Sequence, residues 1–103
     1  MTKPSIKVVR VDADEKDVAS KLLLMLQLCS QDLASQVITR YRETIIYCLT
    51  DKRDDSLYGE VVHGLTPYII NRLIQCAPDG HYFGVGKNDP DWYGFYPDES
   101  VEE

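Results

Sequence analysis

The sequence predicts an α+β domain with two layers, in which three helices pack on a small mixed or antiparallel sheet that ends in a C-terminal β-hairpin. Three observations support this. A short Val- and Ile-rich segment opens the chain, apolar side chains recur at helical spacing over residues 13–29, and two aromatic segments near the C-terminus flank turn-forming residues. The length of 103 residues suits one domain, predicted over residues 1–98, with an acidic tail at 99–103.

The first strand and the first helix are expected to follow each other closely. Residues 5–11, SIKVVRV, are short and β-branched, which is typical of a strand. Asp12 with Glu15 three residues later matches a capping box, so a helix is expected to run from Ala13 to Cys29.

This first helix carries more large apolar side chains than one helix face can hold. A single face cannot hide all of them inside a domain of this size, so we expect the helix to dimerise. The predicted dimerisation residues are Leu22, Leu23, Leu24, Met25, Leu26 and Leu28.

The middle of the chain allows alternatives. Residues 31–43 favour a second helix, although the alternation from Gln36 also suits a strand. Residues 44–50, TIIYCLT, predict a central strand followed by a charged turn at 51–56. Residues 57–64 are ambiguous: Gly59 disfavours a helix and alternation favours a short strand. Thr66 as N-cap and Pro67 at the first helical position predict a third helix that ends near Cys76.

The C-terminal hairpin is the most distinctive prediction. Residues 81–85, HYFGV, and 92–96, WYGFY, flank the turn-forming GKNDPD at 86–91. Strand alternation sends Phe83 and Phe95 into the core and places Tyr82, Trp92 and Tyr96 on the opposite face. Tyr and Trp are favoured at interfaces, so the predicted partner-binding residues are Tyr82, Trp92, Tyr93 and Tyr96. The alternative is that all these rings complete the core.

The three cysteines are Cys29, Cys48 and Cys76, and none belongs to a C-x-x-C motif. Their apolar neighbours predict reduced, buried thiols rather than a zinc site or a disulfide framework. No cofactor or metal is predicted.

Charge and hydropathy narrow the possible partners. The net charge of −6 argues against direct binding of nucleic acid and against an anionic membrane surface. No apolar run is long enough to span a bilayer, and the N-terminus does not resemble a secretion signal, so a cytoplasmic protein is expected.

The sequence contains no recognisable catalytic motif. We therefore expect a small acidic protein–protein interaction module without catalytic activity, a homodimer that docks a protein partner through its aromatic hairpin.

Two alternatives remain open. One is an acidic antagonist, encoded by a phage or mobile element, that occupies the nucleic-acid-binding surface of a partner protein. Residues 82–84 and 94–96 are similar to hairpins of small phage-encoded proteins, a match that covers under a quarter of the chain. The other is a small hydrolase or metal enzyme that uses His81 with Asp79, Asp89 and Asp91. His63 is expected to cap a segment end.

Overall fold

The computed structural model describes residues 5–50, 53–87 and 90–97 and has an α+β fold, as predicted. The tail at 99–103, Asp89 and part of the 51–56 turn lie outside these residues. In the described chain the residues from Asp55 to Gln75 form one uninterrupted helical run. The elements are β1 (Ile6–Arg10), α1 (Glu15–Cys29), α2 (Gln31–Arg40), α3 (Arg42–Cys48), α4 (Asp55–Glu60), a π-helical turn (Val61–Leu65), α5 (Thr66–Gln75), β2 (His81–Val85) and β3 (Trp92–Pro97).

The three strands form an antiparallel sheet in the order β1-β3-β2. The predicted hairpin of β2 and β3 is confirmed, with Phe83 opposite Phe95 and Tyr82 opposite Tyr96. β1 pairs with the other edge of β3, and its register shifts between Lys7 and Val9. β1 therefore has one residue more than β3 across this step, a β-bulge. A bulge of this kind bends and twists the strand that contains it.

The core lies between the sheet and the helices, and α1 and α5 make the main contacts with the strands. Phe95 is fully buried and Phe83 nearly so, which confirms that both rings face the core. Their centroids lie 5.2 Å apart in an edge-to-face arrangement, a favoured geometry for aromatic pairs.

The start of α1 differs from the prediction. Asp14, and not Asp12, is the N-cap, and its carboxylate accepts a hydrogen bond from the backbone N–H of Lys16 at 2.9 Å. Asp12 instead accepts two hydrogen bonds from the Arg10 guanidinium, at 3.0 and 3.2 Å. The predicted capping box is therefore wrong, because Asp12 lies in the turn between β1 and α1.

The predicted central strand at residues 44–50 is also wrong, since this segment belongs to α3. Its two buried side chains, Thr44 and Tyr47, are three residues apart and therefore share one helix face. Packing of that face against the core outweighs the strand preference of the β-branched residues. The preferred helix over residues 31–43 is confirmed as α2, which ends at Arg40.

Residues 57–64 are helical rather than a strand, and Thr66 lies inside the helical run rather than at an N-cap. The π-helical turn precedes Pro67, and the backbone N–H of Thr66 bonds to the carbonyl of Val61, five residues earlier. A proline inside a regular α-helix clashes with the carbonyl four residues before it. The wider π turn relieves this clash, so the chain passes Pro67 without ending the helix.

In the part of the chain that the structure describes, no helix combines the length and the apolar character needed to cross a lipid bilayer.

Candidate functional site

The sheet surface that faces away from the core carries most of the residues predicted to bind a partner. Phe83 and Phe95 point into the core, so their neighbours in β2 and β3 point to the other side. Arg10 in β1 is paired with Trp92, which brings basic side chains onto the same surface. We call this surface the outer face, and it comprises Lys7, Arg10, Tyr82, Trp92 and Tyr96.

Trp92 lies between the two cations of β1. The Lys7 Nζ and the Arg10 Cζ are each 5.9 Å from the centroid of the indole ring, within the range of cation–π attraction. The hydrogen bonds from Arg10 to Asp12 raise the pKa of Arg10 and lower that of Asp12, so this pair stays ionised. Trp92 remains partly exposed. The result is an aromatic surface with positive charge at its edge.

Tyr96 is mostly buried beneath the outer face and offers little surface to a partner. Only 5% of Tyr96 is exposed, and its hydroxyl donates a hydrogen bond to the carbonyl of Trp92 at 2.9 Å. Its ring lies directly against Gly86, where a Cβ would come within 2.7 Å of a ring carbon. The Tyr82 ring lies 6.0 Å away and stays partly exposed. A partner could therefore contact Trp92 and Tyr82, with Tyr96 beneath them.

Tyr93 is placed apart from the other predicted partner-binding residues. It packs against the hydrophobic core, and its ring stacks on Phe83 with centroids 6.3 Å apart and planes at 6°. The structure thus brings Tyr82, Trp92 and Tyr96 together and places Tyr93 on the core side of the sheet.

The predicted dimerisation residues divide between the core and the surface. Leu22, Leu23 and Leu26 are buried within the domain and Met25 packs against the core. By contrast, 57% of Leu24 and 76% of Leu28 is exposed.

Leu24 and Leu28 border an apolar groove between α1, α2 and α3. It consists of two adjoining cavities, of about 460 and 440 Å³, that share Leu24 and Ile38. Leu49, 71% exposed, stands at its edge beyond α3. Because residues 44–50 were predicted to form a strand, the sequence did not indicate that Ile45 and Leu49 line a groove with α1. We call this surface the helical groove, and it comprises Leu24, Leu28, Ile38, Ile45 and Leu49.

The residues considered for catalysis give a weaker case. The His81 Nδ1 lies 3.3 Å from the backbone carbonyl of Asp79. Within the described ranges, no group of three or more His, Cys, Asp or Glu side chains is arranged to hold a metal ion. His63 is exposed on the π-helical turn.

The cysteines are less buried than predicted. All three are free thiols, but Cys29 is exposed at the end of α1, and Cys48 and Cys76 are partly exposed. The expected burial is therefore wrong for Cys29. Burial raises the pKa of the Cys48 thiol to about 11.

No protein-family model, no curated protein and no solved structure matches this chain. Inference about function therefore depends on the surfaces of the molecule itself.

Proposed function

We propose that the protein is a non-catalytic, cytosolic interaction module that docks a protein partner through the outer face of its sheet. The observation that carries this proposal is Trp92, partly exposed on the side away from the helices, with Lys7 and Arg10 at its edge. Tryptophan, tyrosine and arginine are the residues most often found at the energetic centres of interfaces.

The residues around Trp92 hold its side chain in a restricted position, which favours a role in binding. The Tyr96 ring and its hydrogen bond to the Trp92 carbonyl hold the local backbone in place. The neighbouring cations limit the positions of the indole ring. A side chain that is already positioned loses less conformational entropy when a partner binds. A pocket that receives the indole and is polar at its rim, where the Arg10–Asp12 pair lies, would complement this surface.

The test is to capture a partner from a lysate of the source organism by photo-crosslinking at the outer face, and then to measure the affinity of the purified pair by calorimetry. Trp92→Ala is expected to weaken binding by about 30-fold, corresponding to roughly 2 kcal/mol for a central interface residue. Tyr58→Ala, at an exposed tyrosine of α4, is the matched control and should bind normally. Equal affinity of Trp92→Ala and the unchanged protein would refute docking through this face.

We further propose that two copies associate through the helical groove. Leu24, Leu28 and Leu49 are largely exposed there, and exposed apolar patches of this kind mark sites of association. Among the described residues that line the groove, Lys21 carries a charge and no carboxylate is present. Two copies of an acidic chain can therefore meet at this surface with little like-charge repulsion.

Light scattering at tens of micromolar tests this association. The unchanged protein is expected to be a dimer, and Leu24→Glu should give a monomer because it places carboxylates in the apolar interface. Ile74→Glu changes a comparably exposed residue on α5, with 55% of Ile74 exposed, and should leave the dimer intact. A monomer in the unchanged protein at these concentrations would overturn the dimer.

The two alternatives receive less support. An acidic antagonist needs carboxylates gathered on one face, and among the described residues each of the two proposed docking surfaces contains basic side chains or no carboxylate rather than an acidic cluster. A metal enzyme would need a cluster of ligating side chains, and within the described residues no group of three or more His, Cys, Asp or Glu is arranged to hold a metal ion.

A further inference from the structure

A polar cleft lies between the junction of α2 and α3 and the outer side of α4, away from both surfaces considered above. Its volume is about 800 Å³, within the range of sites that hold a small ligand or a short peptide segment. The charged residues that line it are Arg40, Arg42, Glu43 and Glu60.

Arg40 is held in position by aromatic rings. Its Cζ lies 5.7 Å from the centroid of Tyr41 and 5.6 Å from that of Tyr68, and the two rings meet edge to face at 5.4 Å. Arg72 steadies the second ring: its Cζ lies 4.3 Å from the Tyr68 centroid, and its Nη2 donates a hydrogen bond to the Tyr68 hydroxyl at 3.0 Å. A guanidinium has five N–H donors, so contact with the two rings and a hydrogen bond to Tyr41 leave further donors available.

Within residues 5–50, 53–87 and 90–97, the arginines of the cleft, Arg40 and Arg42, form no ion pair with a carboxylate. The pKa of Arg40 is raised by its hydrogen bond to Tyr41 and, less strongly, by the nearby Glu60 carboxylate. An ordered guanidinium without a carboxylate is suited to receive one from another molecule, because its planar fork matches the two carboxylate oxygens.

The π-helical turn helps to form this cleft. A Cβ at Gly64 would lie 3.3 Å from a ring carbon of Tyr41 and 3.0 Å from the Glu60 carboxylate. Glycine therefore lets the ring and the carboxylate approach the turn closely. Turns of this kind inside α-helices are often found at functional sites.

We propose that this cleft binds an acidic side chain, Asp or Glu, of a partner polypeptide, with Arg40 as the bidentate donor and Arg42 as a second cation. The nearby Glu43 and Glu60 oppose a multiply charged anion such as phosphate more strongly than a single carboxylate. They can also pair with a basic residue beside the acidic one. This site is separate from the outer face and does not depend on docking there.

The probe is an N-acetylated, amidated Gly-Glu-Gly peptide, titrated into the ¹⁵N-labelled protein and followed by NMR. Amide shifts are expected over residues 39–44 and 56–60, with a Kd on the order of 1 mM for so short a ligand. Gly-Gln-Gly, which lacks the charge, should bind at least about tenfold more weakly, since charge-assisted hydrogen bonds are the stronger ones.

Variants of the protein distinguish bidentate hydrogen bonding by the Arg40 guanidinium from attraction by its positive charge alone. Arg40→Gln should weaken binding by about tenfold or more, and Arg40→Lys should restore only part of it, because lysine keeps the charge without the planar fork. Arg53→Gln removes an exposed arginine that does not line this cleft and is the matched control. Trp92→Ala should also bind the peptide normally, so failure here and failure of the proposed docking are distinguishable.

Any one of three results with the peptides would overturn the proposal. The first is that Arg40→Gln binds the Glu peptide with the same affinity as the unchanged protein. The second is that the Gln peptide causes amide shifts equal to those of the Glu peptide. The third is that no amide of the cleft shifts at about 10 mM peptide, roughly ten times the expected Kd. Inorganic phosphate is titrated in parallel. If phosphate binds the same amides more tightly than the peptide does, the site recognises phosphate groups and the assignment to acidic side chains is wrong.

Discussion

Replacing Phe95 by Ala tests the division of the hairpin into a core face and an outer face. Phe95 has 0% exposure and lies on the central strand, in edge-to-face contact with Phe83. Removing a buried phenylalanine ring costs roughly 3–5 kcal/mol through lost burial and the cavity left behind. Because Phe83 also loses its aromatic partner, we expect about 4 kcal/mol. At roughly 4–8 °C per kcal/mol for a domain near this size, the melting temperature should fall by about 16–32 °C.

Thermal and urea melts followed by circular dichroism measure this effect. Small domains are stable by only about 5–15 kcal/mol, so Phe95→Leu, with an expected cost of roughly 1–2 kcal/mol, keeps the comparison measurable if the alanine variant does not fold. Trp92→Ala is the contrasting variant and should cost about 1 kcal/mol, since its ring is partly exposed. If Trp92→Ala destabilises the protein as much as Phe95→Ala, the outer face belongs to the core and the reasoning fails.

Two further predictions concern close backbone packing and thiol reactivity. A Cβ at Gly94 would collide with the carbonyl oxygen of Ile6, so Gly94→Ala should separate β1 from the sheet, at a cost of about 2 kcal/mol or more. Faster hydrogen exchange of the β1 amides would show this, and unchanged protection would contradict it. Iodoacetamide at pH 7.5 should alkylate exposed Cys29 well before Cys48, whose pKa of about 11 keeps it protonated until the solution is strongly alkaline. Mass spectrometry over time distinguishes the two, and equal rates would contradict the raised pKa.

The parts of the fold that the sequence predicted correctly are those that depend on local patterns. The alternation of Phe83 and Phe95 with their neighbours is enough to predict which side chains of the hairpin face the core. The segment at residues 44–50 is rich in β-branched residues, which predicts a strand. The spacing of Thr44 and Tyr47 on one helix face is a weaker signal, but it is the one that matches the structure. The π-helical turn before Pro67 has no simple sequence signal, since a proline there also matches a helix start.

In the candidate surfaces, too, the sequence predicts contacts within one hairpin but not contacts between residues that are far apart in the chain. The grouping of Tyr82 with Trp92 followed from alternation within the hairpin. The cations beside Trp92 did not, because the pairing of β1 with β3 joins residues some 80 positions apart, and short-range patterns do not report such contacts. The cation–π contact of Arg40 with Tyr68 depends in the same way on packing between distant helices.

Net charge and local charge lead to different expectations for the partner. The value of −6 describes the whole chain, and at physiological salt the field of exposed charges fades within about 8–10 Å. At that range the proposed docking surfaces are not acidic. Lys7 and Arg10 flank Trp92, and Arg40 and Arg42 line the polar cleft. Overall acidity therefore bears on solubility and on long-range approach, whereas the local charge at both proposed surfaces is mixed, with Asp12 beside Arg10 and with Glu43 and Glu60 beside the arginines of the cleft.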